Sequence, residues 1–176
     1  MPLGPNLLGS LSIFTGTLGN GNTPSGWAQT GLDSLCNTLI NPPSGVVNGQ
    51  PTFANSIRET ATGGFQGLQP GTLPFSYGAG VNYIIGLWIS VPTGVTPGSC
   101  HMYHAGANGN GVFADASVLL AAPPDTYIYY SNQYNALGDE SVFGIINPGG
   151  STGTGFDVAL PSIQQINYVL MGQTWL

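Results

Sequence analysis

The run Val81-Asn82-Tyr83-Ile84-Ile85-Gly86-Leu87-Trp88-Ile89-Ser90-Val91 decides the fold class. Side chains of an extended strand point alternately to opposite faces. Here one face carries Val81, Tyr83, Ile85, Leu87, Ile89 and Val91, and the other carries Asn82, Ile84, Gly86, Trp88 and Ser90. The first face is wholly apolar and reads as core. The second is half apolar, so Trp88 needs cover from a loop or a neighbouring subunit. Pro92 and Gly94 end the strand.

Outward from this segment the same grammar repeats. Strands are expected at His101 to His104, Gly111 to Ala121, Thr126 to Tyr130, Ser141 to Ile146, Phe156 to Leu160 and Ile163 to Met171, separated by Asn108-Gly109, Pro123-Pro124, Asn147-Pro148-Gly149-Gly150 and Pro161. Toward the N-terminus, Leu7, Leu8, Leu11, Ile13 and Phe14 predict a strand within Asn6 to Thr17, followed by the turn residues Gly19 to Asn22. Trp27 to Ile40 is ambiguous between strand and a helical turn, and Asn41-Pro42-Pro43 stops it. Short strands with long connections are expected between Gly45 and Gln69. Many short strands punctuated by turn chemistry predict an all-β chain, a jelly roll or β-sandwich of two antiparallel sheets. The expected layout is an extended Gly- and Pro-rich arm over residues 1–5, free to drape over a neighbour, and a single domain over residues 6–176.

Composition narrows the function. Of 176 residues, 28 are Gly and 14 are Pro, yet 41% are hydrophobic and 10% aromatic, which suits a loop-rich ordered domain better than a disordered one. Only 5% are charged, against about 25% in an ordinary soluble domain. Arg58 is the sole Lys or Arg and the net charge is −6. The electrostatic attraction that drives binding to nucleic acid or to anionic membranes is therefore missing, and neither is expected as a partner. A surface solvated by Ser, Thr, Asn and Gln has few charges to desolvate and suits packing into an assembly. Cys36 and Cys100 allow one disulfide or two separate thiols. The start Met1-Pro2-Leu3-Gly4-Pro5 lacks the basic, then apolar, pattern of a secretory signal, and no apolar run approaches the roughly 20 residues of a membrane span. Assembly in a cytoplasm is the expectation.

Catalytic patterns are sparse, and no enzyme activity or cofactor is expected. His101 and His104, in His-Met-Tyr-His, point to opposite faces of a strand and make a poor metal pair. Asp139-Glu140 follows Gly138 and reads as a loop tip rather than half of a two-carboxylate site. Without lysine no phosphate-binding Gly-Lys loop exists. The richest cluster is Tyr127, Tyr129, Tyr130 and Tyr134 with Asn132, Gln133 and Asn135. Aromatic faces stack on sugar rings and amides bond hydroxyls, while the same residue types serve protein interfaces. The plain alternative is a strand whose tyrosines alternate between core and surface. Trp88, Tyr127, Tyr129, Tyr130 and Tyr134 are thus the interface or sugar-stacking candidates.

Asn6-Leu7-Leu8, Pro24-Ser25-Gly26-Trp27, the strand through Tyr83 and Trp88, and Phe156-Asp157-Val158-Ala159-Leu160 together resemble galactose-binding-type jelly rolls, the sandwiches of many carbohydrate-binding modules. The resemblance implies a fold also used in tailed-bacteriophage fibres and in decoration, or cement, proteins. It further implies that Asp157 is a candidate ligand for a structural calcium. The expected function is a non-enzymatic virion protein: a capsid decoration subunit forming a trimer or other symmetric homo-oligomer that binds and stabilises a phage-like capsid. The alternative is a carbohydrate-binding module or receptor-binding domain of a tail fibre or lectin, with glycans as partners.

Overall fold

A computed structural model describes residues 3–20, 22–30, 37–41, 54–61, 66–107, 109–117, 121, 123–148 and 153–167. The chain is built from two antiparallel sheets. In chain order the strands are β1 (Leu3–Asn6), β2 (Gly19–Asn20), β3 (Trp27–Thr30), β4 (Asn37–Ile40), β5 (Ser56–Thr60), β6 (Gln66–Pro70), β7 (Asn82–Ser90), β8 (Thr96–Pro97), β9 (His101–Gly106), β10 (Gly109–Asp115), β11 (Ile128–Asn135), β12 (Glu140–Asn147) and β13 (Thr154–Ile166). One sheet has eight strands, running β11-β7-β13-β5-β4-β2 with β1 and the short parallel β8 also against β13. The other runs β10-β9-β12-β6-β3. This is the all-β sandwich that the alternating segments require.

The decisive segment forms β7, and its apolar face is the one turned to the core. Tyr83, Ile85, Leu87, Ile89 and Val91 are buried in the core, where they meet Met102, Phe143 and Ile145 of the opposite sheet. An aromatic chain runs through the same layer. Phe14 meets Trp27 edge-on at 5.2 Å, Trp27 meets Phe143 at 6.3 Å, and Phe113 bridges Phe143, Tyr77 and Tyr134 at 6.2, 5.6 and 4.5 Å. Such pairs add about 0.5–1.5 kcal/mol each beyond their burial.

Three sequence expectations are corrected. The apolar run after Asn6 is not a strand but a 3-10 helix over Gly9–Ile13. Asn6 Oδ1 accepts the Leu8 N–H at 3.2 Å and Gly9 adopts a φ of 54°, so the chain turns at once. Leu3 to Pro5, expected within a free arm, pair with the chain's own β13 in the register Leu3↔Ile166 and Asn6↔Gln164. Pro161 does not divide two strands. It lies in a bulge of β13 between Ala159 and Ser162, beside Leu160 at φ 43°, where the ladder needs no N–H. Asn6 pins that bulge, donating to the Pro161 carbonyl at 3.1 Å and accepting from the Ile163 N–H at 3.1 Å.

One buried polar system crosses the core. Glu59 on β5 is fully buried and accepts a hydrogen bond from Asn147 Nδ2 at 3.3 Å, while Asn147 Oδ1 accepts the Ser99 N–H at 3.1 Å. Burial pushes the Glu59 carboxyl up to about 8, the Asn147 bond opposing only in part. Cys100 is a buried free thiol, whereas Cys36 lies outside the described residues, as does the expected strand beyond residue 167.

Candidate functional site: two tyrosines laid over glycines

The outer face of the five-stranded sheet is read in rows from its register. Val112 on β10 pairs with Tyr103 on β9, and Tyr103 pairs with Gly144 on β12. Gln69 of β6 follows Leu68, which pairs with Ile145. Tyr103 crosses the sheet along this row. A methyl group at Gly144 would fall 1.7 Å from Tyr103 Cε1, so the ring occupies the space above that glycine. Its hydroxyl ends 2.6 Å from Gln69 Oε1 and donates to it. Partial burial raises the Tyr103 hydroxyl above its ordinary value, keeping it a neutral donor. The ring thus lies across the sheet instead of standing on it, and turns one face outward.

The neighbouring row carries Asp115, His101, Ile146, Gly67 and Thr30, since Asp115 pairs with His101, His101 with Ile146, Ile146 with Gly67 and Gly67 with Thr30. His101 Nε2 sits 3.4 Å from Asp115 Oδ2. The two rows enclose a groove of about 340 Å³, bordered by Thr30, His101, Tyr103, Asn110, Val112 and Pro148 among others. That volume is at the lower end for a small-molecule pocket. The groove combines an aromatic floor, apolar flanks at Val112 and Ile146, and polar groups at Thr30, Asn110 and His101. Val112 is 48% exposed, an apolar side chain left in water at the groove's edge. No group of three or more metal-ligating side chains occurs among the described residues.

The eight-stranded sheet presents a second surface on the opposite side of the sandwich. Tyr129 on β11 pairs with Trp88 on β7, and their rings lie 5.5 Å apart. Tyr129 also lies over a glycine. A methyl at Gly86 would come within 2.5 Å of its hydroxyl oxygen, which is itself 3.2 Å from Ser162 Oγ. Below it on the same face follow Ser131, Gln133 and Asn135. Gln133 Nε2 and Asn135 Nδ2 both donate to Asn82 Oδ1, at 3.3 and 3.2 Å.

The five sequence candidates therefore separate. Tyr129 is exposed and Trp88 half-buried beside it. Tyr130 and Tyr134 point inward and pack against the main core. Tyr134 donates to Glu140 Oε1 and stacks near His104 at 5.3 Å. Tyr127 is fully buried and forms a small second core with Ala159, Trp88 and Leu160, which corrects its place among surface candidates. The tyrosines alternate because β11 is a strand with one face in the core. Asp157 is also corrected as a calcium candidate. Its two carboxylate oxygens take both prongs of Arg58, Nε at 2.8 Å and Nη2 at 2.9 Å, leaving the carboxylate occupied by a guanidinium. That bidentate bond raises the Arg58 pKa against the opposing effect of burial. His101 and His104 do face opposite sides, His101 to the groove and His104 to Phe113 in the core at 4.7 Å.

Sequence reasoning passed over Tyr103. The signal was present in Phe143-Gly144-Ile145, a glycine inside an apolar strand, which marks close approach of another group.

No family model matches the chain, and no curated protein matches it. Solved structures do resemble it. A Stig cyclase, Fisc from Fischerella sp. TAU in complex with (3Z)-3-(1-methyl-2-pyrrolidinylidene)-3H-indole, superposes over 96% of this chain and 100% of its own, with a TM-score of 0.69 and 17% identity. The CBM22-1 xylan-binding domain of Paenibacillus barcinonensis Xyn10C covers 82% of this chain and 88% of its own, at TM-score 0.52 and 14% identity. The enzymatically active domain of bacteriophage CBA120 tailspike protein 4 covers 81% of this chain but only 20% of its own, at TM-score 0.51 and 16% identity. At these identities the likeness is one of fold. The chain has the jelly-roll sandwich architecture shared with carbohydrate-binding modules.

Proposed function

We propose that this protein is a non-enzymatic carbohydrate-binding module whose ligand is a neutral glycan held in the groove over Tyr103. The observation that carries this reading is the Tyr103 ring laid across Gly144 with its hydroxyl tied to Gln69. A ring fixed at both ends loses little freedom on binding and offers a face to the C–H side of a sugar. Thr30, Asn110 and His101 of the lining then stand within reach of the sugar's hydroxyls. The ligand is neutral because the chain's one strong cation, Arg58, is spent on Asp157. A uronate or sulfated sugar would find no charge to meet it. The architecture shared with a xylan-binding domain supports the same class of ligand.

The test is titration with neutral oligosaccharides of several backbones, read by amide chemical shifts. Binding should perturb β9, β10 and β12, and Tyr103→Ala should remove it while Tyr103→Phe keeps part of it. Absence of any neutral-glycan binding, or binding whose shifts avoid these strands, overturns the reading.

A second reading, the decoration or fibre subunit of a phage-like particle, is favoured by one observation: a chain with only 5% charged residues, suited to burial against like molecules. In it the chain would be an oligomer attached to a capsid or fibre. Mass measurement in solution tests it, and a strictly monomeric state at high concentration argues against it.

A further inference from the structure

We infer that the outer face of the eight-stranded sheet is a second glycan site, so that one molecule bridges two sugar chains from opposite sides of the sandwich. This rests on the neutral-glycan reading and extends it to a surface that the groove does not touch. The two tyrosines are mounted alike. Tyr103 crosses Gly144 and is tied to Gln69; Tyr129 crosses Gly86 and is tied to Ser162, whose Oγ donates in turn to the Gly86 carbonyl at 3.3 Å. In each case a strand glycine leaves room for a ring lying over the sheet, and a polar side chain fixes its far end. Tyr129 stays 40% exposed in this position.

What lies beside the ring fits a hydroxylated chain. A shallow depression of about 380 Å³ adjoins it, lined by Leu3, Ile84, Tyr129, Ser131, Gln133 and Ile166. Alternate residues of a strand are about 7 Å apart, so Tyr129, Ser131 and Gln133 span about 14 Å along one face. Ring, hydroxyl and amide are thus met in succession by an extended ligand running along β11. The depression's lining carries no ionisable carboxylate or cation, which again selects a neutral partner. Trp88 flanks the ring, packed against Tyr129 on one side and the Tyr127–Ala159 cluster on the other.

Because the sheets share one core, the two sites face away from each other and cannot serve one short oligosaccharide. Their joint product is cross-linking, with avidity on any surface that displays many chains.

The experiment uses the whole chain with the neutral hexasaccharide that binds best in the titration above. Calorimetric stoichiometry should be two per chain for the wild type and one for each of Tyr103→Ala and Tyr129→Ala, with the double variant silent. Gln133→Ala, an exposed change that spares the ring, should weaken only the second site. Agglutination of beads coated with the polysaccharide should vanish in either single tyrosine variant while single-chain binding persists. Thermal unfolding of each variant confirms that the sandwich is intact. A stoichiometry of one that Tyr129→Ala leaves unchanged overturns the second site and spares the groove. No binding by the wild type overturns both.

Discussion

Glu59→Gln gives the sharpest test of the physical account of the core. Glu59 is fully buried, receives one hydrogen bond from Asn147, and titrates at about 8 instead of 4.5 because burial disfavours its charge. A carboxyl whose folded value is raised binds its proton more tightly in the native state than in the unfolded chain. Its contribution to stability is fully present below pH 4.5 and is lost as pH rises to about 8. At about 1.4 kcal/mol per pH unit the interval amounts to at most about 5 kcal/mol, a large share of the 5–15 kcal/mol typical of a domain. Asp115, Asp125 and Glu140 have lowered values and act in the opposite sense, stabilising as pH rises through the acid range. The difference between variant and wild type cancels them. Glutamine keeps an acceptor for Asn147 and cannot ionise. Urea unfolding followed by tryptophan fluorescence should give equal stabilities near pH 4.5. Above pH 8 Glu59→Gln should be the more stable by several kcal/mol, the gap opening progressively between. A gap that does not change with pH, or that closes as pH rises, refutes the claim that Glu59 is held neutral by burial.

Other predictions are more local. Arg58→Met should destabilise the fold by about 3 kcal/mol at pH 7, because Asp157, 1% exposed, is left without a counter-charge; chemical denaturation measures it. Asn6→Ala should cost about 1–3 kcal/mol by freeing the Ile163 N–H, the Leu8 N–H and the Pro161 carbonyl at the β13 bulge, with faster amide exchange confined to Ile163 and Leu8. Gly144→Ala should displace the Tyr103 ring, cost about 1–3 kcal/mol and abolish groove binding, as seen in thermal melts and glycan titration. Glycan affinity should be unchanged between about 0.05 and 0.5 M NaCl, since no ion pair can form with a neutral ligand; a steep salt dependence would contradict the absence of charge recognition.

Much of the fold was legible where one side of a strand had to be dry. β7 shows this best, since its apolar face was written at period two and the core took Tyr83, Ile85, Leu87, Ile89 and Val91, with Val81 partly buried at its edge. Legibility failed where one side chain redirected the backbone. Nothing in the apolar content of Leu7 to Phe14 distinguishes a strand from the 3-10 turn that Asn6 and Gly9 impose, and Pro161 looks like a terminator until Asn6 is seen holding its bulge. The candidate sites were half legible for a related reason. The Tyr and amide cluster was visible as composition, but which tyrosine faces water depends on the register of β11 against β7. Tyr103 was hidden because its role comes from Gly144, 41 positions later in the chain, and only pairing brings the two together.

The glycines beneath the two rings also bear on how such a surface can change. A bare backbone sets the height of each seat, so the seat does not depend on which aromatic occupies it. Exchanging Tyr103 or Tyr129 for tryptophan or phenylalanine alters the area and polarity offered to a ligand without disturbing the strand beneath. On the proposed glycan reading, preference among sugars would change through the aromatic at each seat alone, with the glycine and the scaffold left as they are.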